Sequence, residues 1–521
     1  MRLALVIKMR EGAAHKLCLF LILFSQISFQ SVNLALNIVI ISMMKLVYTI
    51  LLISIFAPCV SADELPDLGD VSQTVLSPLD EKKIADQIMR DVMSSDEVVG
   101  DPEIQDYIQN LGMRLASNGP DKTQSFNFFV VRDNSINAFA MPGGVVGVHT
   151  GLIIAANNES ELASVIGHEI GHVVQHHLAR MLAQQKNDSI ISMASMALAV
   201  LAARANTQLA SAAMTASSAG AVQKQLDYTR AHEREADRVG ISILEQSGFD
   251  TNAMPAFFET MQKGTRFVEG SAPAFLRTHP VTGERIADVR ARVSQNRFRL
   301  LPYSPEFDYV RAKILASLNT PSQAVALYQD NLKEKRYSSE TAQHYGLACA
   351  LIRNNDLNGA SKQLAWLRSN SPNHAFFATL AATIEVARDN PVQAAKAYTS
   401  GLATYPNHRA LIQGYAEHLI RVRQFDQAIK FITEKQQLYP SDPVLFELKS
   451  KAYAFLGKRL LSHQAQGEAY FYRYNLQRAL EQMDLAVHAN DGDFYQQSIA
   501  EARLNELRKM IDEPKKSGLF K

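Results

Sequence analysis

The chain has 521 residues, 47% of them hydrophobic and 20% charged, an ordinary globular balance. That length exceeds what one hydrophobic core normally organises, so two or more domains are expected. A net charge of +1 gives no argument for a nucleic-acid partner, and none is expected.

The N-terminal region reads as targeting sequence over residues 1–62. Met44-Lys45, the apolar run "LVYTILLISIFAPCV" and the ending Val60-Ser61-Ala62 have the form of a secretory signal cleaved before Asp63. Cys59 is not read as a lipid-anchored cysteine, because Pro58 stands where such a signal wants Gly or Ala. Upstream, Leu17 to Ile41 is apolar but broken by Gln26, Gln30, Asn33 and Asn37. It has two readings: an uncleaved anchor, or residues never made because translation starts at Met43 or Met44, which is preferred. Removing residues 1–62 takes five of 53 basic residues and one of 52 acidic ones, which leaves a net charge of −3. Of Cys18, Cys59 and Cys349 only Cys349 then survives, and it is expected to be a small buried residue in a helix.

Apolar residues at three- and four-residue spacing predict helices through residues 63–115. "SFNFFVVR" (125–132) is β-branched and aromatic, and "INAFAMPGGVVGVHTG" reads as strand, Pro-Gly-Gly turn, strand. A helix is predicted from Asn158, with Glu161 at N3 completing a capping box and Leu162, Val165, Ile166, Ile170, Val173 and Val174 as its buried stripe.

That helix carries H-E-x-x-H. His168 and His172, four apart, share one face and can hold one zinc ion, while Glu169 stands where a general base is needed. Gly167 and Gly171 are predicted to admit a second backbone closely. Zinc needs a third protein ligand. Ten residues after His168 lies Leu178, and two dozen on lie Ser192 and Met193, none of them a suitable ligand. Between Glu169 and Glu233 the only acids are Asp188 and Asp227. In "HEREADRVG", Glu233 and Asp237 share a face of a second helix, so Glu233 can complete the site and Asp237 can bond the free nitrogen of a ligand histidine. His149, His176, His177 and His232 are expected at the surface, and Glu235 in solvent.

Residues 189–224 are rich in Ala, Ser and Met. Their most apolar part, "IISMASMALAVLAA", is too short to span a bilayer. A packed helical hairpin and a membrane-surface contact are both open. Beyond residue 305, Pro372, Pro406 and Pro440 are 34 apart, and so are Ala360, Ala394 and Ala428. This is the tetratricopeptide period: a small residue where two helices cross, and a proline that ends the second. An imperfect copy (Ala324, Tyr328) precedes, and a degenerate one (Ala469, Tyr470, Ala479) is expected after a longer insertion. Such arrays form a solenoid whose concave face binds peptides or proteins.

"HEIGH" followed by "EREAD", with "INAFAMPGG" before and "THPVTGERI" after, resembles the M48 family of metallopeptidases, over roughly residues 65–510 when the repeats are included. The resemblance implies a mainly α fold: a gluzincin-type α+β peptidase domain with a small β-sheet (63–300), then an α-solenoid of repeats (305–511). It implies one zinc per chain, held by His168, His172 and Glu233, with Glu169, Asp237 and His279 in the catalytic apparatus. Asn137, Ala138 and Phe139 are similar to an edge strand that holds substrate backbone. His279 resembles a loop histidine able to fill the open metal position or to bond the tetrahedral intermediate. Arg285 would position it, stabilise an oxyanion, or form a structural salt bridge. The expected setting is the periplasm of a Gram-negative bacterium, soluble or peripheral to the outer membrane. The expected partners are unfolded or misassembled outer-membrane proteins and, through the repeats, the β-barrel assembly machinery. A chaperone whose gated peptidase site seldom acts is the alternative. A membrane-embedded peptidase is disfavoured by the lack of a long apolar span after residue 62.

Overall fold

The computed structural model describes residues 78–184, 230–265, 274–293 and 304–516. The expectations for residues 1–62 and 189–224 lie outside them. The described residues belong to one compact unit, Val71–Lys521.

Helices α1 (Pro78–Ser94) and α2 (Pro102–Ala116) precede a three-stranded sheet of β1 (Asn127–Val131), β2 (Ala138–Met141) and β3 (Val145–His149), in the order β1-β3-β2. β1 runs parallel to β3, with Asn127 opposite Val145; β2 runs antiparallel to it, with Ala138 opposite Val148. The Pro142–Gly144 turn joins them, Gly143 and Gly144 both taking positive φ. A Cβ at Gly147 would strike the Phe139 ring, so glycine there lets Phe139 lie flat across the sheet.

Helix α3 (Thr150–Ala155) leads to the buried α4 (Glu159–Val174). Asn158 caps α4, accepting from the Glu161 N–H at 3.0 Å. The Glu161 carboxylate reaches back one residue further than a capping box requires, to the Asn157 N–H at 2.8 Å. Next come α5 (His177–Gln184), α6 (Arg230–Gln246), α7 (Ala253–Thr265), α8 (Ala274–Thr278) and α9 (Gly283–Val293).

The repeats are twelve described helices: α10 (Pro305–Leu318), α11 (Pro321–Lys333), α12 (Glu340–Arg353), α13 (Leu357–Asn370), α14 (Ala375–Ala387), α15 (Pro391–Thr404), α16 (Arg409–Arg421), α17 (Phe425–Lys435), α18 (Pro443–Phe455), α19 (Arg459–Tyr472), α20 (Leu476–Val487) and α21 (Phe494–Lys516). Ala360, Ala394 and Ala428 are fully buried where paired helices cross. The expected insertion is absent: α18 and α19 continue the 34-residue register. The sequence hid this pair because Ser462 and Tyr474 stand where the earlier pairs have alanine and proline. A backbone signal marks the register instead. Asn355, Asp389, Arg423 and Gly457, each 34 from the next, all take left-handed φ between 54° and 73° in the middle of a three-residue connection. Each connection closes a Schellman bond, such as Gln424 N–H to Leu419 C=O at 2.8 Å.

One hydrophobic core runs from Ile104 and Leu111 through Phe307, Val310 and Ile314 to Tyr345 and Phe376, joining the peptidase-like part to the repeats. Cys349 is half-buried in α12, and burial pushes its thiol up to about 12. At the centre of the junction Glu103, in the first turn of α2, is buried. It meets Lys313 Nζ at 2.6 Å and His408 Nε2 at 3.0 Å. Asp106 meets Arg409 at 2.8 Å beside it. A cleft of about 630 Å³ opens between this corner and the inner repeat helices, lined by Lys313, Tyr345, Glu417 and Lys451 among others. No helix among the described residues is long and apolar enough to cross a membrane.

Burial alone would raise the Glu103 pKa, but Lys313 and His408 hold it down to about 2 from 4.5. A carboxylate depressed on folding stabilises the native state above its unfolded pKa and loses that contribution as pH falls toward the folded value. Between pH 4.5 and about 2, wild type should therefore lose on the order of 3 kcal/mol that Glu103→Gln does not lose. Urea titration across that range checks it. At the connections, Arg423→Gly should raise stability by up to about 1 kcal/mol, and Gly457→Ala lower it by about the same amount, in urea denaturation at neutral pH.

Candidate metal centre

His168 and His172 sit one turn apart on α4 with their Nε2 atoms 3.0 Å apart. Helix α6 crosses them. A Cβ on Gly171 would lie 2.9 Å from the Ala236 carbonyl oxygen, and one on Gly240 3.1 Å from the His168 nitrogen. The two backbones touch, and the short side chain of Glu233 therefore reaches both rings: its carboxylate oxygens lie 3.5 Å from His168 Nε2 and 3.4 Å from His172 Nε2. His279, just after α8, adds its Nδ1 at 2.9 Å from Glu233 and 3.4 Å from His168 Nε2. All four residues are buried, and one donor atom from each lies within 4.8 Å of the others.

These residues fit a small divalent cation. Donors about 2.0–2.2 Å from a tetrahedral ion lie about 3.3–3.6 Å from one another, close to the spacings present. Charge points the same way. Glu169, Glu233 and Asp237 are formally three negative charges, and Arg285 is one positive charge among them. All four are buried. Two negative charges remain, which a dication would cancel. Without a cation the cluster draws in a proton: burial opposes it, but Asp237 and Glu233 lift His168 to about 9. Burial and its neighbours His168 and His279 push His172 down to about 3, although Glu233 pulls the other way.

A second ring of contacts fixes the first. His168 Nδ1 lies 2.9 Å from Asp237, which takes two bonds from Arg285, at 2.7 and 2.8 Å. Arg285 also meets Glu233 at 2.7 Å and donates to the Pro280 carbonyl at 2.9 Å. Of the roles open to Arg285 in the sequence, the geometry displays the salt bridge and the anchoring of the loop that carries His279. Glu169 is buried beside the cluster, 3.5 Å from His279 Nε2.

β2 is one of the two edge strands of the sheet and packs on α4. The His149 N–H donates to the Asn137 carbonyl at 3.0 Å, so by alternation Ala138 and Ala140 turn their own N–H and C=O groups away from β3. The Phe275 N–H, on α8, donates to the Ile136 carbonyl at 3.2 Å, which ties this edge to the His279 segment.

Four histidines expected at the surface are not in the donor cluster, but three of them are buried: His149, His177 and His232. His176 is half-buried near Glu81. Glu235 is not free in solvent, since it bonds His177 at 3.1 Å and Arg180 at 2.9 Å. For His177 the cause is a break in the helix. His176 takes φ +49°, ending α4 and folding the chain back, so that His177 points under His172 instead of away from it. The nearest sequence signal was the crowding of histidines itself.

The model of peptidase family M48 matches residues 102–293. A Vibrio cholerae relative is 34% identical over 469 residues, covering 88% of this chain and 96% of that protein. The beta-barrel assembly-enhancing protease of Escherichia coli K12 is 31% identical over 453 residues, covering 86% of this chain and 92% of its own. The mitochondrial metalloendopeptidase OMA1 of Schizosaccharomyces pombe is 28% identical over 215 residues, 40% of this chain and 60% of that protein.

The Asp237–Arg285 pair is buried on both sides, so removing one partner strands a charge. Arg285→Met should cost about 3–5 kcal/mol in urea denaturation of the metal-free protein, and Arg285→Met with Asp237→Asn less than the sum of the two single changes.

Proposed function

This chain belongs to peptidase family M48, and from that premise we propose that it is an exported zinc-dependent endopeptidase acting on misfolded or stalled outer-membrane proteins. The observation that carries the reading is the convergence of His168, His172, Glu233 and His279 on one point, with the Glu169 carboxyl beside it. His168, His172 and Glu233 would hold the zinc. When bound, it supplies Lewis-acid polarisation of the scissile carbonyl and a lowered pKa for the attacking water. Glu169 accepts the proton of that water and returns it to the departing amine. The outward N–H and C=O groups of Ala138 and Ala140 pair with an extended substrate, and Asn137 and Phe139, which alternate with them, hold that strand in register. Recognition through backbone is independent of side-chain sequence, as suits an enzyme for unfolded chains.

His279 has two tasks. In the arrangement present it fills the fourth donor position, which keeps substrate out. Displaced, its imidazole donates to the oxyanion. Arg285 is a positioning residue that holds Asp237, Glu233 and the Pro280 carbonyl in one array. The repeats supply the cleft beside Lys313 and Lys451 for substrate segments and for the β-barrel assembly machinery, in the periplasm of a Gram-negative bacterium. The name of the Escherichia coli relative supports that setting. Occupation of the fourth position by His279 favours a second reading, in which the chain serves mainly as an assembly chaperone and cleaves only when the latch opens.

Casein degradation by residues 63–521 with one zinc per chain tests both readings. Wild type should cleave, Glu169→Gln should retain zinc and lose about 10²–10⁴-fold in rate, and His279→Ala, which loses the block and the oxyanion donor together, should lower KM and kcat relative to wild type. Equal cleavage by wild type and Glu169→Gln would refute the base assignment. No cleavage by wild type, with cleavage restored in His279→Ala, would establish the latched chaperone.

A further inference from the structure

We propose that His177, held by Glu235, is the positioning residue for His172, fixing its tautomer and orientation as Asp237 does for His168. This rests on His172 being a metal ligand. His172 turns Nε2 to the donor cluster, so its Nδ1 faces the other way. There His177 Nδ1 lies 2.9 Å from it, and His177 Nε2 lies 3.1 Å from Glu235 Oε2. Glu235 is clamped in turn by Arg180 at 2.9 Å. The His232 ring stacks on His177 at 4.5 Å and 23°, which fixes its plane.

The protons can be placed one by one. A ligand nitrogen carries none, so neutral His172 bears its proton on Nδ1 and donates it to His177 Nδ1. That atom is then the acceptor, and the proton of His177 sits on Nε2, donated to Glu235. Every contact has one donor and one acceptor, and the chain ends on a carboxylate.

The same construction stands behind His168: Nδ1 to Asp237, Asp237 to Arg285. Both ligands thus end on a carboxylate–arginine pair, and both carboxylates come from α6. Successive helix residues turn about 100°, so Glu235 points about 200° away from Asp237 and cannot reach a ligand directly. An interposed imidazole spans the gap. It can do so only because of the left-handed residue before it: in a continued helix His177 would stand about 140° round the axis from His172. His176, a non-glycine residue at φ +49°, holds the break that brings His177 back.

The test separates hydrogen bonding from packing. The Asn side-chain amide coincides with the Nδ1 position of histidine, and the Gln amide with the Nε2 position. His177→Asn therefore keeps an acceptor for His172, and His177→Gln does not. Zinc affinity would be measured on the full exported chain by competition with a chelating dye, alongside urea denaturation of the metal-free proteins. His177→Gln should weaken zinc binding by about 10–100-fold, His177→Asn by no more than about threefold, and Glu235→Gln by an intermediate factor. Equal weakening by Asn and Gln, or wild-type affinity in His177→Gln, overturns the proposal. Should both His177 variants fail to fold, Glu235→Gln decides: wild-type affinity there overturns it, and weakened affinity supports it. Absence of zinc binding by wild type refutes the proposed function instead, and this inference with it.

Discussion

A Cβ on Gly171 would sit 2.9 Å from the Ala236 carbonyl oxygen, and one on Gly240 3.1 Å from the His168 backbone nitrogen. Helices with ordinary side chains at a contact keep their axes 8–10 Å apart. Glycine and alanine at these positions let α4 and α6 come closer, so that the two-carbon side chain of Glu233 spans to both imidazoles. Larger residues there would push Glu233 and Asp237 outward together, undoing the contacts of Glu233 with both imidazoles and of Asp237 with His168 in one step. The donor set, the buried carboxylates and the Arg285 anchor all follow from that approach.

The buried charge is organised in layers around it. Carboxylates excluded from water are costly unless partnered. Glu233, Asp237 and Glu235 each have a cation or an imidazole within hydrogen-bond reach, and two arginines, Arg180 and Arg285, close the network on either side of α6. The junction with the repeats repeats the device on a smaller scale: Glu103 is fully enclosed, yet held ionised by Lys313 and His408. Because its partners come from α10 and from the start of α16, a single residue of α2 fastens two distant repeats to the peptidase-like part. The apolar core crosses the same junction, so solenoid and peptidase-like part fold onto each other instead of lying on a flexible tether.

The meeting of His168, His172 and Glu233 was legible from spacing. His168 and His172 four apart, Glu233 and Asp237 four apart, and the glycines beside them are helix-face patterns that survive folding unchanged. The 34-residue period was legible for the same reason, until Ser462 and Tyr474 replaced the marker residues and the pair α18–α19 disappeared from view. His177 was misplaced because a helix continued past Gln175 would turn it outward, and His232 and Glu235, on α6, were misplaced because the partner they cover is His177. One residue with left-handed φ reverses that geometry, and His176 carries no sequence mark of a helix stop as glycine or proline would.

The sequence by itself determined which residues share a helix face, and so which pairs of donors could meet one ion, because a 3.6-residue period is a local property of the chain. It determined the repeats through the recurrent need for a small residue at each helix crossing. Only the tertiary structure decided the contacts between distant segments: Arg285 on two carboxylates, His279 beside Glu233 and His168, Glu103 as the fastening of the repeats, and His177 beneath His172. Those contacts join residues 5 to 305 positions apart. No local periodicity encodes them: those around the donor cluster are set by the helix break at His176 and by the close packing of α4 on α6, and that of Glu103 by the packing of α2 on the repeats.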